Sequence, residues 1–388
     1  MQCIETIFWI ALGMIAYSYL GYGFILWLFN LLKPHQVVTF DSAYEPTVAL
    51  VVPCFNEAAY IEDKIQNSLQ LNYPSDKLQF IFISDGSSDQ TPEIIQKYNQ
   101  VLALHEPARK GKAAAMNRAM QYVTAEIVVF CDANTDLNSE AIREMVKHYQ
   151  FSNVGAVTGE KRIAVKSKEN ASGAGEGIYW KYESFLKQMD SDFYTIVGAA
   201  GELMSYRTSL YKTLPEDTLL DDLMQSMGVA LSGYRVVYEK AACATETASA
   251  NVNEELKRKV RIAAGAWQSM FRLKQAFNPF HNFKVFFLFF SHRVSRWTLA
   301  PLSLLVVFIC NALLVNQHAG MLYTILMSLQ VIFYAFALMG WYLENKQMKV
   351  KVLFVPYYFF IMNLCMYLGF VKFIRGKQSA NWERAKRA

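Results

Sequence analysis

The sequence has few charged residues, and they are unevenly distributed. Asp, Glu, Lys and Arg make up 18% of the 388 residues, whereas an average soluble domain holds about 25%. The acids that are present concentrate in residues 34–275, while residues 4–32 and 283–374 are almost continuously apolar. This pattern disfavours a disordered chain, a secreted disulfide scaffold and an ordinary cytosolic enzyme. It favours a membrane protein with one sizeable aqueous domain.

Cysteine pairs and basic stripes are lacking as well. The cysteines show no C-x-x-C pair and no spacing typical of a metal site, so we expect reduced thiols and no zinc. The aqueous region has no basic stripe interleaved with aromatic residues, so we expect no nucleic-acid partner. Much of the net charge of +5 comes from the last 17 residues. A basic tail beside an apolar segment instead favours the positive-inside signal or contact with anionic lipid.

The N-terminal apolar run from Ile4 to Leu32 is long enough to cross a bilayer, because a spanning helix needs about 20 apolar residues. The chain starts Met-Gln-Cys-Ile-Glu, without a positive charge, and the run is too long for a signal peptide. Lys33, Pro34 and His35 predict its cytoplasmic end. Three more candidate spans follow the aqueous domain, at about 298–316, 321–343 and 351–373.

The segment 279–296, which precedes these three spans, mixes Phe-rich runs with His and basic residues. We expect a helix that lies in the membrane interface, with its cations reaching towards the headgroups. The sequence thus divides into an N-terminal membrane helix (1–33), a cytosolic domain (34–275) and a C-terminal membrane region with a basic tail (276–388). The residues expected to reach the headgroups are His281, Lys284, His292, Arg293 and Arg296.

The topology of the C-terminal region contains a conflict. Three crossings after a cytoplasmic domain place the basic tail outside, whereas the positive-inside rule places Arg375 to Arg387 inside. Either one of the three segments is re-entrant or interfacial, or the charge rule fails in this chain. The stretch Pro356-Tyr-Tyr makes the last segment the candidate for the exception.

Short apolar runs in the aqueous domain predict buried parallel strands at 47–53, 77–84 and 126–131. Helical patterns lie between them, at 57–71, 92–99 and 111–123. Strands that alternate with helices favour a parallel sheet covered on both faces. In such a sheet, ligands bind outside the carboxyl ends of the strands.

Polar and acidic loops follow all three predicted strands. They are Asn56-Glu57, Asp85 to Asp89, and Asp132 to Asp136. Taken singly, each fits an ordinary turn or helix cap. Together they place acidic loops at one sheet edge, where like charges repel each other unless a cation or a donor-rich ligand lies between them.

The residue types in these loops predict a nucleotide-diphosphate site. Asp132 and Asn134 offer two oxygen ligands on one turn, which suits Mg²⁺ or Mn²⁺. The stretch Lys110-Gly111-Lys112 opens a helix, where a cation and free amides can meet a diphosphate.

The motifs P-C-F-N-E (53–57), S-D-G-S-S-D (84–89), G-K-A-A-A-M-N (111–117) and C-D-A-N-T (131–135) resemble the successive motifs of family 2 inverting glycosyltransferases. The resemblance covers about 47–275 and implies an α/β domain of the GT-A type, with a Rossmann-like, mostly parallel sheet. The flanking membrane segments resemble the processive branch that includes cellulose, hyaluronan and poly-N-acetylglucosamine synthases. The resemblance therefore implies a GT-A domain flanked by transmembrane and interfacial helices.

The resemblance also implies roles for the donor-side residues. Asp85 would contact the base or ribose of a UDP-sugar, and Asp132 and Asn134 would hold the metal on the diphosphate. Asn134 stands where the family has a second Asp, so metal affinity should be weaker and Asp136 becomes an additional candidate ligand. The other donor-binding candidates are Pro53, Asn56, Glu57 and Lys112.

The sequence Leu219-Leu220-Asp221-Asp222-Leu223 resembles the family motif that carries the catalytic base. This implies that Asp222 takes the proton from the acceptor hydroxyl. Asp221 has capping-box spacing from Thr218, and we expect it mainly to cap the helix, with a catalytic role beside Asp222 as the alternative.

The acceptor side is less clearly marked. Gly198-Ala-Ala-Gly201 and Arg207 resemble the family's acceptor loop, where small residues let a sugar approach the backbone; Glu202 is an unexpected acid there. Trp180, with Tyr179 and Tyr182, fits either stacking on a sugar ring or core packing.

A basic helix at 254–265 matches the position of the family's Q-x-x-R-W element. The match implies diphosphate contacts from Arg258 and Arg261, while Ile262 replaces the Trp and puts processivity in doubt. Outside the family, the basic run also fits a solvated or headgroup-facing surface. The tail 381–387 resembles the cytoplasmic tails of several such synthases.

The expected function is therefore a membrane β-glycosyltransferase that uses a UDP-sugar with Mg²⁺ or Mn²⁺ and extends a polysaccharide. The alternatives are a single transfer onto a lipid-linked acceptor and a non-catalytic membrane subunit that has kept the fold. The family resemblance places the protein in the inner membrane as a multi-pass protein, with its catalytic domain in the cytoplasm.

Overall fold

An eight-stranded sheet lies between apolar helices from the two ends of the chain. The computed structural model describes residues 1–33, 39–164, 171–247, 252–346 and 350–376. The predicted helix end at Pro34 and His35 and the tail 381–387 lie outside these residues. The strands are β1 Val48–Cys54, β2 Leu78–Asp85, β3 Leu102–Glu106, β4 Ile127–Cys131, β5 Thr135–Leu137, β6 Val154–Ala164, β7 Leu203–Arg207 and β8 Arg235–Thr247.

The sheet has the order β3-β2-β1-β4-β7-β6-β8-β5. Its first four strands are parallel, and every residue of the central strand β1 is buried. Helices cover both faces of such a strand, so its sequence is an uninterrupted apolar run. This confirms the three predicted strands and the predicted α/β fold.

The other half of the sheet is mixed. Strand β7 is antiparallel to both of its neighbours, β4 and β6, and β6 and β8 are parallel to each other. No helix separates β4 from β5 along the chain, so this half lacks the strand–helix alternation that marks the first half.

The helices of the domain pack around this sheet. The predicted helix at 57–71 is shorter in the structure and begins at Ile61, because Asn56 adopts a positive φ of 53° and a turn at Glu57 precedes the helix. The domain helices are α3 Ile61–Leu69, α4 Thr91–Gln96, α5 Lys112–Ala119, α6 Ala141–Val146, α7 Ala171–Phe193, α8 Asp221–Leu231 and α9 Val252–Arg272.

Four apolar helices are long enough to cross a membrane, and they span Gln2–Leu31, Phe283–Asn316, Met321–Glu344 and Val352–Ile374. Two of them contain a π-helical segment, at Tyr17–Gly21 and Phe289–Leu299. The positions match the four candidate spans of the sequence. The elements are α1 Gln2–Ala16, α2 Tyr22–Leu31, α10 Phe283–Leu288, α11 Ala300–Asn316, α12 Met321–Asn345 and α13 Lys351–Ile374.

The expectation for segment 279–296 is partly wrong. Its helix begins at Phe283 and continues without interruption into α11. His292 pairs with Asp190, and Arg293 and Arg296 pair with Glu183. These side chains contact buried carboxylates of α7, so they face the domain rather than lipid headgroups.

Candidate active site

A cavity of about 980 Å³ opens between the carboxyl edge of the sheet and the membrane helices. Helices α7, α8, α9 and α13 and the π-helical segment before α11 form its walls. Most of the predicted site residues line it. These are Pro53, Glu57, Lys112, Asp132, Asn134, Trp180, Gly198, Gly201, Asp221, Asp222, Arg258 and Arg261.

The loops after β1 and β2 hold each other at the donor end of the cavity. The backbone N–H of Asn56 donates to Ser87 Oγ at 3.0 Å, and that of Glu57 donates to Thr91 Oγ1 at 2.8 Å. Asn56 Oδ1 in turn accepts from the backbone N–H of Ser88 at 2.8 Å. Asn56 therefore shapes the loop and is not among the residues that line the cavity.

Asp85 is buried, and its hydrogen-bond partners belong to α5 and to the loop that precedes it. Its carboxylate accepts from Arg118 Nη2 at 2.6 Å and from the backbone N–H groups of Lys110 and Gly111, the latter at 2.6 Å. It lies behind the cavity wall and fixes the start of α5. Its predicted contact with the base or ribose stays a prediction, and the structure assigns it a loop-holding role.

A cation–π pair at this end was not apparent from the sequence. The Arg109 guanidinium lies 3.6 Å from the ring centroid of Phe55. Gly86 makes the close loop packing possible, because it has φ +69° and a Cβ there would lie 2.6 Å from Arg109 Cβ. Phe55 and Arg109 come from different loops 54 positions apart, so no local pattern links them.

Lys112 connects Asp132, in the loop after β4, to the acids at the start of α8. Its Nζ lies 2.6 Å from Asp132 Oδ1 and 3.7 Å from Asp221 Oδ2. Burial acts to lower the pKa of Lys112, but the charges of Asp132 and Asp221 outweigh it and raise this pKa. Burial raises the pKa of Asp132 despite the neighbouring Lys112.

The predicted capping role of Asp221 is wrong. Helix α8 begins at Asp221, its N-cap residue is Leu220, and no side chain caps it. Thr218 Oγ1 accepts instead from Arg272 Nη1 at 3.2 Å. The Asp221 carboxylate is thereby left to face Lys112.

Asp222 is a half-buried carboxyl group beside a second acid. Burial, followed by the charge of Asp221, raises the pKa of Asp222 to about 7. Gly201 lies against it, and a Cβ at Gly201 would come within 3.2 Å of Asp222 Oδ2. A carboxyl group with a pKa near neutrality has the strength that a general base needs at physiological pH.

Glu202, the acid that the sequence left unexplained, belongs to a buried ion cluster. Lys161 contacts both Glu202 and Glu246. Burial acts to raise the pKa of Glu202, but Lys161 outweighs it and lowers this pKa to about 2. Glu202 is thus a charged anchor at the floor of the cavity.

Arg258 and Arg261 both line the cavity from α9. Arg258 forms an ion pair with Glu255 at 2.9 Å. Among the described residues, no group accepts a hydrogen bond from the buried Nε of Arg261. Burial lowers the pKa of Arg261 although Asp221, Asp132 and Asp222 oppose the shift. A desolvated guanidinium with a spare donor is suited to a diphosphate.

Arg293 reaches the acceptor loop from the membrane region. Its Nε donates to the carbonyl of Val197 at 2.8 Å and its Nη2 to that of Gly198 at 3.2 Å. Gly198 has φ +120°. The buried Glu183 accepts from Arg293 Nη1 at 3.3 Å. Sequence reasoning missed this role, because the two partners lie 95 positions apart.

Of the remaining acceptor-side candidates, Trp180 lines the cavity and Arg207 does not. Trp180 lines the cavity, and the ammonium groups of Lys161 and Lys187 lie 4.8 and 5.7 Å from its ring centroid. Arg207 lies elsewhere, because its guanidinium donates to the carbonyls of Tyr149 and Val154 at 2.7 and 2.8 Å. Asp136 is exposed on β5.

The cavity, with its acids, its buried cations and its place at the sheet edge, agrees with a match to a known family. Residues 49–214 match the model of glycosyl transferase family 2, so this part of the chain is similar to that family. The match ends before α8 and α9, which supply Asp222 and Arg261. The family resemblance of the sequence motifs is confirmed.

Two curated relatives are poly-β-1,6-N-acetyl-D-glucosamine synthases. That of Staphylococcus aureus is 27% identical over 259 residues, which cover 64% of this chain and 61% of that protein. That of Staphylococcus epidermidis is 26% identical over 261 residues, which cover 64% and 62%. The match thus spans about three fifths of the length of these relatives.

A solved structure shares the whole architecture. It is a mannosyltransferase from Pyrobaculum calidifontis in complex with GDP-Man and Mn²⁺, with a TM-score of 0.74 and 22% identity. The alignment covers 96% of this chain and 99% of that one. This likeness confirms the fold, including the apolar helices on both sides of the GT-A-type domain.

Proposed function

We propose that this protein is a membrane-bound inverting glycosyltransferase that transfers a sugar from a UDP-sugar to a growing polysaccharide. The observation that carries the proposal is one cavity with two chemically different ends. Its donor end holds Asp132 and Arg261, and its other end holds Asp222 against Gly201. Lys112 lies between them, since its Nζ contacts Asp132 and donates to the Gly201 carbonyl at 3.3 Å. An activated sugar placed between the two ends lies beside a base and beside cations for its leaving group.

The donor end binds and orients the diphosphate. Arg261 offers an N–H group that has no acceptor among the described residues, and Lys112 supplies a second cation from the start of α5. Donors that are already in place require no reorganisation when negative charge develops on the leaving diphosphate. Lys112 is also paired with Asp132, so its charge is shared between the protein and the donor.

The oxygen ligands in the cavity suit a divalent cation that takes most of its ligands from water and from phosphate oxygens. No cluster of three acidic, His or Cys ligands occurs in the parts of the chain that the structure describes. Asp132 and Asn134 nevertheless line the same cavity, and a carboxylate with an amide oxygen suits Mg²⁺ or Mn²⁺ that keeps waters and binds phosphate oxygens. When bound there, such an ion would neutralise charge on the diphosphate.

Asp222 is the proton acceptor in the proposed reaction. The acceptor hydroxyl oxygen forms a bond to the anomeric carbon, the bond from that carbon to the diphosphate oxygen breaks, and the hydroxyl proton passes to the Asp222 carboxylate. Attack on the face opposite the leaving group inverts the configuration and gives a β-linkage from an α-linked donor. The Asp222 side chain is half-buried and lines the cavity, so it can meet an acceptor hydroxyl there.

The polysaccharide acceptor is proposed because of the curated relatives, whose names specify a β-1,6-linked N-acetylglucosamine polymer. The family resemblance likewise supports an inner-membrane location with the domain in the cytoplasm. Lys33 continues the first helix on the domain side and binds the carbonyl of Asp192 at 2.7 Å, as expected for a cytoplasmic helix end.

A single transfer onto a lipid-linked acceptor is the second candidate. It is favoured by the cavity wall that α13 forms, which is apolar and aromatic. Such a wall fits an acceptor that arrives from the bilayer better than one that arrives from water. The residues concerned are Phe354, Val355, Tyr358, Phe359, Met362 and Met366.

The test is release of nucleoside diphosphate by the purified protein in lipid vesicles, measured with UDP-N-acetylglucosamine, UDP-glucose and GDP-mannose, each with and without Mn²⁺. We expect Mn²⁺-dependent release from one UDP-sugar and a product of many added sugars. A product with one added sugar on a lipid would establish the second candidate instead. The Asp222→Asn variant should be inactive, while the matched surface variant Asp76→Asn should be fully active. Equal release from Asp222→Asn and the parent protein would refute the assignment of the base.

A further inference from the structure

Lys187 is a buried lysine that belongs neither to the donor end of the cavity nor to the base. It lies on α7, lines the cavity and has 4% of its surface exposed. Among the residues that the structure describes, no group accepts a hydrogen bond from its ammonium and no carboxylate forms an ion pair with it. Lysine is almost never fully buried unless it is paired, so an unpaired ammonium in a cavity wall points to a ligand.

In the described part of the chain, the ammonium has an aromatic ring as its close partner. Its Nζ lies 5.7 Å from the centroid of the Trp180 ring, and Nζ of Lys161 lies 4.8 Å from the same centroid. An aromatic face attracts a cation, but it does not replace the oxygen acceptors that the three N–H groups of an ammonium can bind. The indole is also shared between two cations, so the hydrogen-bonding capacity of Lys187 remains for a ligand.

The carboxylates whose charges act on Lys187 are bound by other groups. Each of them has a hydrogen bond or an ion pair with a cation or a hydroxyl group, and one of them, Glu183, is shared by two guanidinium groups. The carboxylates and their partners are Glu183 with Arg293 and Arg296, Glu202 with Lys161, and Glu160 with Ser184 and Tyr238.

The balance of burial and charge at Lys187 differs from that at two other buried lysines. Burial lowers the pKa of Lys187, although the charge of Glu183 acts to raise it. Burial also acts on Lys112 and Lys161, but their carboxylate partners outweigh it and raise the pKa of both. The cost of taking the Lys187 ammonium out of water is therefore not offset by its neighbours, and an anionic oxygen in the cavity would offset it.

Lys187 belongs to the acceptor end of the cavity. The charges of Arg293 and Glu202 both act on it. Arg293 holds the start of the acceptor loop, and Glu202 directly follows Gly201, which lies against Asp222. The ammonium is thus near the loop that leads to the base.

The charge of the cavity lining is compatible with an anionic ligand. Nine Lys and Arg side chains line the cavity, against seven Asp and Glu side chains. A cavity with an excess of one sign of charge raises the local concentration of ligands of the opposite sign.

We infer that Lys187 binds an anionic group of the acceptor, a carboxylate or a phosphate, at the acceptor end of the cavity. This inference rests on the proposed function and specifies its acceptor. The ammonium donates to the anionic oxygen while a hydroxyl group of the same acceptor meets Asp222. A charge-assisted hydrogen bond is about twice as strong as a neutral one, so an acidic acceptor is preferred to a neutral one. A carboxylate would belong to an acidic sugar of the polymer, and a phosphate to a lipid-linked acceptor.

The first test compares anionic and neutral probes by binding. Phenyl β-glucuronide, phenyl phosphate and the neutral phenyl β-glucoside are titrated into the full-length protein in nanodiscs of zwitterionic lipid, with UDP at saturation so that the diphosphate site is occupied. The two glycosides differ only in the carboxylate at C6. We expect at least one anion to bind roughly 10-fold or more tightly than the glucoside. Preference for the glucuronide would identify an acidic sugar, and preference for phenyl phosphate a lipid-linked phosphate.

Variants on α7 assign this preference to one side chain. Lys187→Met should weaken binding of the preferred anion roughly 10- to 150-fold and leave the binding of UDP and of the glucoside unchanged, whereas Lys187→Arg should retain part of the preference. Lys181→Met is the matched control, because Lys181 is exposed on the same helix and does not line the cavity. No preference for either anion in the parent protein, or a preference that survives in Lys187→Met, would overturn the inference.

The second test separates a lysine that binds a ligand from one that stabilises the fold. Removing one partner of a buried ion pair leaves the other charge uncompensated, whereas removing an unpaired buried charge does not. Without ligand, Lys187→Met should therefore melt at or above the temperature of the parent protein, while Lys161→Met, which leaves Glu202 and Glu246 without their cation, should melt several degrees lower. Equal decreases in the two variants would overturn the inference.

Neither test measures sugar transfer. Absence of UDP binding or of UDP release by the parent protein would count against the proposed function. Absence of an anion preference in a protein that binds UDP would refute the role of Lys187 alone.

Discussion

The two ends of the cavity are built in different ways. At the donor end, the loops after β1, β2 and β4 bring Glu57, Asp132 and Asn134 to one edge because parallel strands align their carboxyl ends. At the acceptor end, the loop at Gly198 is held by Arg293, which enters from the membrane region. The acidic loops of the donor end are a property of the sheet, whereas the loop of the acceptor end is held by a contact between the domain and the apolar helices.

This difference predicts that substitutions at the two ends affect different steps of the reaction. Changes to donor-end residues should alter nucleotide binding and transfer in the ordinary way of a soluble transferase. Changes to the membrane-side contacts should leave nucleotide binding intact and affect only the use of the acceptor. The expected effects decrease from the base Asp222, through the cations of the donor end, to the contacts at the membrane side.

The largest effect is expected for Asp222→Asn, because the amide cannot take a proton. General-base catalysis typically contributes 10²- to 10⁴-fold, so we expect the turnover rate to fall by roughly that factor. The Kd for the donor nucleotide should be unchanged, since Asp222 lies at the acceptor end, against Gly201. Initial rates of UDP release and direct nucleotide titration measure the two quantities. A loss of nucleotide affinity that matched the loss in rate would assign Asp222 to the donor end.

The donor end was more accessible to sequence reasoning for a physical reason. Buried parallel strands such as β1 are apolar runs that end in polar loops, so both the strand and its loop are visible locally. The resemblance to the family then identified Asp222 as the candidate base and Arg261 as a candidate diphosphate ligand. The roles of Glu202 and Arg293 could not be predicted in this way. Glu202 depends on Lys161 and Arg293 on the Gly198 carbonyl, and both partners lie far away along the chain.

The same limit explains the errors. Thr218 and Asp221 have capping-box spacing, but the Thr218 hydroxyl accepts from Arg272, a residue 54 positions away. Arg293 and Arg296 have the pattern of headgroup-facing cations, but Glu183 is buried beneath them and binds both. Short-range patterns predict elements well, whereas the partners of charged side chains depend on the tertiary fold.

The second-largest effect is expected at the donor end, for Arg261→Lys. A guanidinium binds a diphosphate through several fixed N–H groups, and an ammonium cannot reproduce this geometry. The loss of one or more charge-assisted hydrogen bonds, each worth about 1.5 to 3 kcal/mol, predicts roughly 10- to 150-fold weaker UDP binding. Isothermal titration with UDP measures this change. Arg272→Lys is the matched control on the same helix, because its partners Asp217 and Thr218 do not line the cavity, and it should bind UDP like the parent protein.

The third prediction concerns pH and the pair at the start of α8. The base must be ionised, and the pKa of Asp222 is raised to about 7, so kcat/KM should fall as pH drops through 7, approaching tenfold per unit below that value. Asp221→Asn removes a charge that raises this pKa, so the acid limb should move to lower pH while burial still holds it above the ordinary Asp range. The pH profile measures the shift independently of any change in absolute rate. An acid limb that stayed in place would show that the two carboxyl groups do not interact.

The smallest effect is expected at the membrane side, for Arg293→Ala. Arg293 is a positioning residue, since its guanidinium holds the carbonyls of Val197 and Gly198, at the start of the loop that runs to Gly201 and lines the cavity. Loss of these two hydrogen bonds, at about 0.5 to 1.5 kcal/mol each, predicts a roughly 5- to 150-fold loss in kcat/KM for the acceptor. The Kd for UDP should be unchanged, and Arg293→Lys should recover part of the loss.

Arg296→Ala is the matched control for this last change, because Arg296 also pairs with Glu183 but makes no hydrogen bond to the acceptor loop among the described contacts. Both variants remove one partner of the same buried carboxylate, so both should lower the melting temperature. Only Arg293→Ala frees the loop, and it should therefore show the larger loss in acceptor kcat/KM. Equal losses in the two variants would mean that the ion cluster acts through stability alone, and the acceptor end would then be no more dependent on the membrane helices than the donor end.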